Sequence, residues 1–322
     1  MAVAAGSRRG EGKNDMKALV TGATGFVGSH LVERLLADGR EVRCLVRRTS
    51  ALGFLEGKDV ELCLGDLAEV DRVERATEGV DTVFHCAALV RDFGRRGEFA
   101  MANVQGVSNL LEAACRKRVR RFVHLSTNDF YGRQNRLGVT EDTRPAPIPF
   151  AYSVTKREGE ALVQQAHAER GLETVVLRPP TIYGPRAVSL ILEIADLILR
   201  GDMVLVDHGA ARAGLCYVTN LVDAMVLAAA APAAAGQAYN VSDGSSATWK
   251  EFVDALSDLL GRPRVRRSMP YGLAYPASVA MEALWALLFP GQRPLLTRKR
   301  FRKRFSERGS TLLVPPKEVP PF

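Results

Sequence analysis

The sequence predicts an α/β fold, in which a doubly wound parallel sheet (a Rossmann-type architecture) is followed by a smaller, mostly helical C-terminal substrate-binding portion. Three observations support this prediction. Apolar runs alternate with helical patterns up to Pro179, a glycine-rich turn joins the first run to the first helix, and helical patterns predominate after Pro179. Strands that are buried on both faces have almost continuous apolar sequences, as expected for a parallel sheet covered by helices. Such sheets bind ligands at the carboxyl ends of their strands.

The elements follow one another regularly along the chain. The apolar runs predict strands at 18–20, 42–46, 60–64, 82–88, 121–127 and 174–178, and the 3.6-residue periodicity predicts helices after the first strand and at 70–76, 104–115 and 151–168. Beyond Pro179 the pattern predicts helices at 190–199, 221–231 and 249–260 and one short strand at 238–241. Some of these later elements are expected to return to the sheet.

The first predicted strand ends in a turn with three regularly spaced glycines. The stretch reads Thr21, Gly22, Ala23, Thr24, Gly25, Phe26, Val27, Gly28, and a helix carrying Val27, Leu31 and Leu35 follows. Gly22 permits a tight turn, Gly25 lets the backbone approach a pyrophosphate, and Gly28 lets the helix pack on the strand. The start of the helix offers free N–H groups to an anion. The stretch therefore predicts a dinucleotide site, with an ordinary strand–turn–helix loop as the alternative.

The residues after the second and third predicted strands indicate which dinucleotide binds. Enzymes that use NAD usually place a carboxylate after the second strand to bind the ribose 2′-hydroxyl, whereas here Arg47 and Arg48 follow it. A guanidinium can grip a 2′-phosphate with two hydrogen bonds, so Arg47 favours NADP over NAD. Asp66 and Leu67 close the third strand and are expected to flank the adenine; a simple turn role is the alternative for Asp66.

Tyr152 and Lys156 form a candidate acid/base pair. Residues four apart share one face of a helix, and this helix follows the strand that ends in Ser126 and Thr127. A cation beside a phenol favours the phenolate, which could exchange a proton with a hydroxyl or a carbonyl. A hydroxyl at the strand end could hold the substrate oxygen. A pair of surface residues on a helix is the alternative interpretation.

These motifs together resemble the extended short-chain dehydrogenase/reductases, also called the NAD-dependent epimerase/dehydratase superfamily. The resemblance covers residues 17–305 and implies a nicotinamide cofactor, a catalytic set of Thr127, Tyr152 and Lys156, and a homodimer. It also implies that Lys156 holds the ribose and that Pro179 and Pro180 border the nicotinamide. The further family matches expected at the cofactor are Ala87, Ala88, Asn103 and Ser126.

The resemblance leaves several branches open. Sugar-nucleotide enzymes of the family carry an arginine where this chain has Ala213, with Arg212 beside it. Together with the apolar segment 271–289, this favours the 3β-hydroxysteroid dehydrogenase and dihydroflavonol reductase branches, which bind apolar rings. We therefore expect interconversion of a secondary alcohol and a ketone. The alternatives are a sugar-nucleotide epimerase or dehydratase and a cofactor-binding protein without turnover.

Composition and charge bear on partners and compartment. The net charge of +8 is confined to the two ends, since residues 291–308 carry +7 and residues 1–13 carry +2. A nucleic-acid-binding protein would place its basic patch on the folded surface, so no nucleic-acid partner is expected.

The 5 cysteines include no C-x-x-C pair, which fits free thiols in the cytoplasm. No metal-ligand spacing occurs, and His85 and Cys86 are expected to pack in the core.

The expected organisation has four parts. Residues 16–180 form the dinucleotide-binding domain and 181–310 the substrate-binding portion, flanked by a disordered basic tail at 1–15 and a Pro-rich tail at 311–322. The apolar segment is interrupted by Pro276 and is shorter than the roughly 20 residues that cross a bilayer. We expect it to line a substrate pocket, with peripheral membrane contact through 271–305 as the alternative.

Overall fold

A seven-stranded parallel sheet lies at the centre of the molecule and confirms the predicted fold class. The computed structural model describes residues 16–91, 94–132, 138–187 and 191–288, with side chains described as far as residue 281. The two predicted tails and the basic stretch 291–308 lie outside the described residues. The strand order is β10-β6-β5-β4-β1-β2-β3. Its strands are β1 (Lys17–Thr21), β2 (Glu41–Val46), β3 (Glu61–Leu64), β4 (Thr82–His85), β5 (Arg121–Leu125), β6 (Glu173–Arg178) and β10 (Ala238–Asn240).

Helices cover both faces of the sheet. The helices are α1 (Phe26–Ala37), α2 (Val70–Thr77), α3 (Arg96–Ala100), α4 (Gly106–Arg116), α5 (Ala151–Arg170), α6 (Ile191–Arg200), α7 (Val218–Ala230), α8 (Trp249–Leu259) and α9 (Tyr271–Leu288). Helices α1 and α7 bury their apolar side chains in one core, and α2, α4 and α5 bury theirs in a second core across the sheet. This two-sided burial explains why the strands are apolar on both faces.

Three features of the fold were not predicted from the sequence. The short helix α3 runs through a π-helical turn, Met101–Gln105, into α4. Strand β7 (Thr181–Tyr183) pairs with β9 (Leu215–Tyr217), and β8 (Leu205–Val206) pairs with β11 (Ser268–Met269), so that two small parallel sheets lie outside the main one. Strands β4 and β5 end at His85 and Leu125, earlier than predicted. Cys86, Ala87, Ala88, Ser126 and Thr127 therefore lie beyond the strand ends, at the ligand-binding edge.

The predicted strand at 238–241 pairs with β6 at the edge of the main sheet.

None of the helices in the described residues combines the length and the apolar character that crossing a membrane requires.

The glycine turn forms where the strand order reverses, between β1 and its neighbours β4 and β2. Gly22 has a φ of +70°, and a Cβ on it would lie 2.8 Å from the backbone nitrogen of Ala87. A Cβ on Gly28 would lie only 2.1 Å from the carbonyl oxygen of Gly22, so the first turn of α1 rests directly on the turn. Val27, Leu31 and Leu35 are buried as predicted. The tight turn and the close packing of helix on strand therefore both depend on glycine.

The Gly28→Ala variant is expected to lose about 2 kcal/mol or more of its free energy of unfolding, because the added methyl group meets backbone that cannot move aside. Urea denaturation measures this loss. Gly97→Ala is the matched control, since a Cβ there meets nothing within 4 Å on the exposed helix α3. Equal stability of the two variants would contradict the packing argument.

Candidate active site

The start of α1 provides the anion-binding part of the site. The first helical hydrogen bond runs from the Ser29 amide to the Gly25 carbonyl at 3.0 Å. The amide groups of Phe26, Val27 and Gly28 have no acceptor among the described residues, as is usual for a first helical turn. The exposed Gly25 and half-buried Thr24 leave this turn open. The residues present therefore fit a pyrophosphate group, which such N–H groups bind.

Arg47 and Asp66 lie at the ends of neighbouring strands. The amide of Gly65 donates to the carbonyl of Val46 at 3.0 Å, which brings the two loops together. Arg47 is exposed, and its guanidinium has no hydrogen bond or ion pair within the described part of the chain. The Asp66 carboxylate accepts from the amide of Ala68 at 3.0 Å, so it holds the turn, the alternative role considered for it. Contacts of Arg47, Asp66 and Leu67 with adenosine stay predictions.

Asn103 lies inside the π-helical turn and clamps the loop after β4. Its side-chain oxygen accepts from the amide of Leu89 at 2.8 Å, and its nitrogen donates to the Leu89 carbonyl and to Thr155 Oγ1, each at 3.2 Å. These bonds use the polar atoms of a side chain that is 2% exposed. Asn103 therefore fixes the segment that contains Ala87 and Ala88, and direct contact of Asn103 with a cofactor stays a prediction.

Tyr152 and Lys156 lie in the first turns of α5, and Lys156 faces the end of β5. The Lys156 side chain is 2% exposed, and its Nζ donates to the carbonyl oxygen of Leu125 at 2.7 Å. Burial lowers the pKa of Lys156 to about 8, and the nearby Glu160 charge opposes that shift. Lys156 is therefore mostly protonated at neutral pH, in a place from which water is largely excluded. Tyr152 is half-buried.

Thr127 follows β5 and caps a short 3₁₀ turn, Asn128–Tyr131. Its Oγ1 accepts from the amide of Asp129 at 3.2 Å, which leaves the hydroxyl hydrogen able to donate to another oxygen. The amide of Asn128 donates to the Pro179 carbonyl at 3.0 Å, so Thr127 lies beside Pro179 and Pro180 at the end of β6. The adjacency of β5 and β6 thus brings together residues that lie about fifty positions apart in the sequence.

A buried ion pair supports this edge of the sheet, and the sequence analysis missed it. Arg178 Nη2 lies 2.5 Å from Glu160 Oε1, and the two side chains are 3% and 0% exposed. Ser126 donates its hydroxyl to Glu160 at 2.5 Å, and Arg178 donates to the Tyr131 hydroxyl at 2.6 Å. Burial opposes the charge of Arg178, but its bonds to Glu160 and Tyr131 outweigh that effect and raise its pKa.

Ser126 was expected at the cofactor, but its hydroxyl already donates to Glu160. Contact of Ser126 with a cofactor stays a prediction. One feature of the sequence could have indicated the buried ion pair: Glu160 lies four residues after Lys156, on the same helical face. A second cation on this helix, Arg157, donates to the carbonyls of Phe130 and Ala146 at 2.5 and 2.8 Å. Helix α5 therefore holds the loop after Thr127 from two sides.

Ala213 occupies the place at which sugar-nucleotide enzymes of the resembled family carry an arginine. It is completely buried, and its amide donates to the Ala247 carbonyl at 2.9 Å. Arg212 beside it forms a β-bridge with Thr248. Ala213 therefore presents no cationic side chain that could bind a diphosphate.

Glu160→Gln is expected to lower the free energy of unfolding by about 3 kcal/mol, because it leaves the buried Arg178 guanidinium without its counter-charge. Urea denaturation of Glu158→Gln provides the control, since Glu158 lies on the same helix in an exposed pair with Arg96. That exposed pair should contribute less than about 1 kcal/mol. Similar losses in the two variants would show that the buried pair does not hold the site together.

Comparisons with known proteins agree with this geometry. The model of the NAD dependent epimerase/dehydratase family matches residues 18–242. A ketoreductase from Stigmatella aurantiaca, named for a farnesyl dihydroquinoline oxide substrate, is 32% identical over 280 residues, which are 86% of this chain and 83% of the relative. The 3 beta-hydroxysteroid dehydrogenase/Delta 5-->4-isomerase of Mycobacterium tuberculosis is 35% identical over 272 residues, covering 79% of this chain and 72% of the relative.

Solved structures show the same architecture. The dTDP-glucose 4,6-dehydratase DesIV of Streptomyces venezuelae, with NAD bound, has a TM-score of 0.71 at 28% identity and covers 79% of this chain and 84% of its own. UDP-glucose 4-epimerase of Thermotoga maritima has a TM-score of 0.71 at 25% identity, with 79% and 86% covered. The chain belongs to the NAD dependent epimerase/dehydratase family, the extended short-chain dehydrogenase/reductases, and its relatives support the 3β-hydroxysteroid dehydrogenase-like branch.

Proposed function

We propose that this NAD(P)-dependent dehydrogenase/reductase interconverts a secondary alcohol and a ketone on an apolar ring substrate, with NADP as its preferred cofactor. The observation that carries the proposal is the buried Lys156, fixed to the end of β5 one helical turn after Tyr152 and close in the fold to Thr127. When bound, the nicotinamide supplies or accepts the hydride. The chain itself must then hold the substrate oxygen and move one proton.

Tyr152 is proposed to move that proton. The ammonium of Lys156 favours the phenolate of a nearby phenol, because it is partly dehydrated and its charge is weakly screened. In alcohol oxidation the phenolate accepts the hydroxyl proton, and in ketone reduction the phenol returns a proton to the oxygen. Thr127 donates its hydroxyl hydrogen, which the bond from the Asp129 amide leaves available, to the same oxygen. This bond orients the substrate and stabilises developing negative charge.

The proposed substrate class rests on three observations. Ala213 supplies no cation for a diphosphate, and two relatives are named for ketone or hydroxysteroid substrates. Large apolar side chains are exposed in the C-terminal portion, including Leu192 on α6 and Leu273 on α9, at 57% and 65%. A pocket for an apolar ring is lined mostly by apolar side chains, which this portion of the chain could supply.

A second candidate function is sugar-nucleotide epimerisation or dehydration, which the likeness to the epimerase and dehydratase structures favours. Such an enzyme keeps and recycles its cofactor. Native mass spectrometry of purified protein separates the two, because tightly retained NAD supports the second candidate and exchangeable NADPH supports the first.

Tyr152→Phe should lower kcat for ketone reduction by about 10²-fold or more, since it removes the proton donor and little volume. The measurement follows NADPH absorbance against a panel of steroid, flavonoid and sugar-nucleotide ketones. Tyr239→Phe is the control, because Tyr239 packs against the core from β10. An unchanged rate for Tyr152→Phe on a ketone that the unmodified enzyme reduces would refute the acid/base role. Turnover of sugar nucleotides alone would favour the second candidate.

Arg47→Ala should raise KM for NADPH by about tenfold or more and leave KM for NADH nearly unchanged, because only NADPH carries the 2′-phosphate that the guanidinium would bind. Steady-state kinetics with each cofactor measure the difference. Arg264→Ala provides the control at a surface pair with Asp258 in the C-terminal portion. An unmodified enzyme that prefers NADH, or equal changes for both cofactors, would contradict NADP selection by Arg47.

A further inference from the structure

Two buried histidines lie beside Lys156 on neighbouring strands of the sheet. His124 of β5 is 0% exposed and His85 of β4 is 1% exposed. The register of the two strands sets them opposite each other, and their rings stack with centroids 5.3 Å apart and an interplanar angle of 26°. The sequence analysis expected His85 to pack in the core, and it did not consider His124.

The pair connects the glycine turn to the lysine. His85 Nδ1 lies 2.7 Å from Thr21 Oγ1, which also accepts from the Ala87 amide at 3.3 Å. His124 Nε2 lies 3.5 Å from Lys156 Nζ, a long hydrogen bond. The remaining ring nitrogens, His85 Nε2 and His124 Nδ1, are buried without a partner in the described part of the protein. Buried histidines usually form a hydrogen bond with each ring nitrogen, so two buried nitrogens without one are unusual.

Both imidazoles are neutral at physiological pH. Burial lowers the pKa of His85 to about 3 and that of His124 well below its ordinary value, and the charge of Lys156 lowers both further. A neutral imidazole carries one N–H and one bare nitrogen. Because the ammonium of Lys156 can only donate, Nε2 of His124 must be the bare nitrogen, and the proton must lie on Nδ1.

The groups that face the ammonium compensate its charge only in part, since the carboxylate of Glu160 raises the pKa of Lys156 but is itself bonded to Arg178. Burial raises the pKa of the Cys86 thiol, directly after β4, to about 12, so this neighbour is neutral, as are His85 and His124. The carboxylate of Glu160 on α5 is bonded to Arg178 and Ser126. Leu125 accepts one of the three ammonium hydrogens and His124 faces another.

We infer that His124 is a positioning residue, whose neutral imidazole accepts from Lys156 and fixes the ammonium without neutralising it, while His85, held by Thr21, supports the His124 ring. A carboxylate at this place would hold the lysine more strongly but would cancel the charge that favours the phenolate. The inference concerns the arrangement of this chain's own residues, and only its kinetic consequence rests on the proposed function.

Nitrogen NMR of protein labelled with ¹⁵N-histidine tests the arrangement directly. The 5 histidine side chains of the chain can be assigned by single substitutions to Gln. We expect His124 to be the Nδ1–H tautomer and neutral throughout the neutral pH range. Lys156→Met should move the Nε2 resonance of His124 toward that of a nitrogen that accepts no hydrogen bond. The control Lys250→Met, at an exposed pair with Asp254, should leave the His124 resonance in place. An Nε2–H tautomer, or a resonance that Lys156→Met leaves in place, would overturn the inference.

Kinetics on a ketone substrate provide the second readout. His124→Phe keeps the stacked ring and removes the acceptor, so kcat should fall about fivefold with KM for the ketone unchanged, the effect of one modest hydrogen bond. The alkaline limb of the pH profile should move to lower pH, because the ammonium loses an acceptor that stabilises it. His124→Gln, whose side-chain oxygen can replace the acceptor, should restore both.

The control for ring removal is His167→Phe, a half-buried histidine on α5 whose Nδ1 lies 2.9 Å from the Leu172 carbonyl oxygen. Equal losses of rate and thermal stability in His124→Phe and His124→Gln, with no change in the pH profile, would indicate a packing role and overturn the inference. If no ketone is turned over, the proposed function fails, and the nitrogen resonances still decide whether His124 accepts from Lys156.

Discussion

The buried ion pair between Glu160 and Arg178 is the interaction on which the candidate site most depends. It joins helix α5 to strand β6, and its hydrogen bonds extend to Ser126 after β5 and to Tyr131, the last residue of the 3₁₀ turn. The guanidinium also lies 3.7 Å from the centre of the Phe130 ring. A buried charge pair contributes little net stability when it is complete but is strongly destabilising when one partner is lost. The arrangement therefore tolerates few alternative positions of the loop that carries Thr127.

This constraint fixes the spacing of the groups that are proposed to act on the substrate. Tyr152, Lys156 and Glu160 lie on one stripe of α5, so that anchoring Glu160 deep in the protein sets how the stripe approaches β5. Gly159 contributes to the same fit, because a Cβ there would lie 2.3 Å from the Asn103 carbonyl oxygen. Asn103 in turn holds the loop after β4. One helix thus sets the positions of two ligand-binding loops, and a preorganised site needs less reorganisation during reaction.

The interior of the protein connects the glycine turn to Lys156. Thr21, His85 and His124 follow one another across β1, β4 and β5, and His124 faces Lys156 on α5. The two histidines beside the lysine are neutral, and the nearby carboxylate of Glu160 is bonded to Arg178. The lysine therefore keeps most of its positive charge, one helical turn after the proposed acid/base Tyr152. In water such a charge would be screened, but a buried one acts over several ångströms.

The sequence alone was sufficient for the parallel sheet, the glycine turn and the placement of Tyr152 and Lys156 one turn apart on a helix, because each depends on local periodicity or spacing. It did not reveal the Glu160–Arg178 pair, the clamp formed by Asn103, or the place of His124 beside Lys156. Those contacts join residues from different strands and helices, and only the strand order decides which of them become neighbours. The early ends of β4 and β5 were also decided by tertiary structure, since neither Cys86 after β4 nor Ser126 after β5 is a residue that by itself ends a strand.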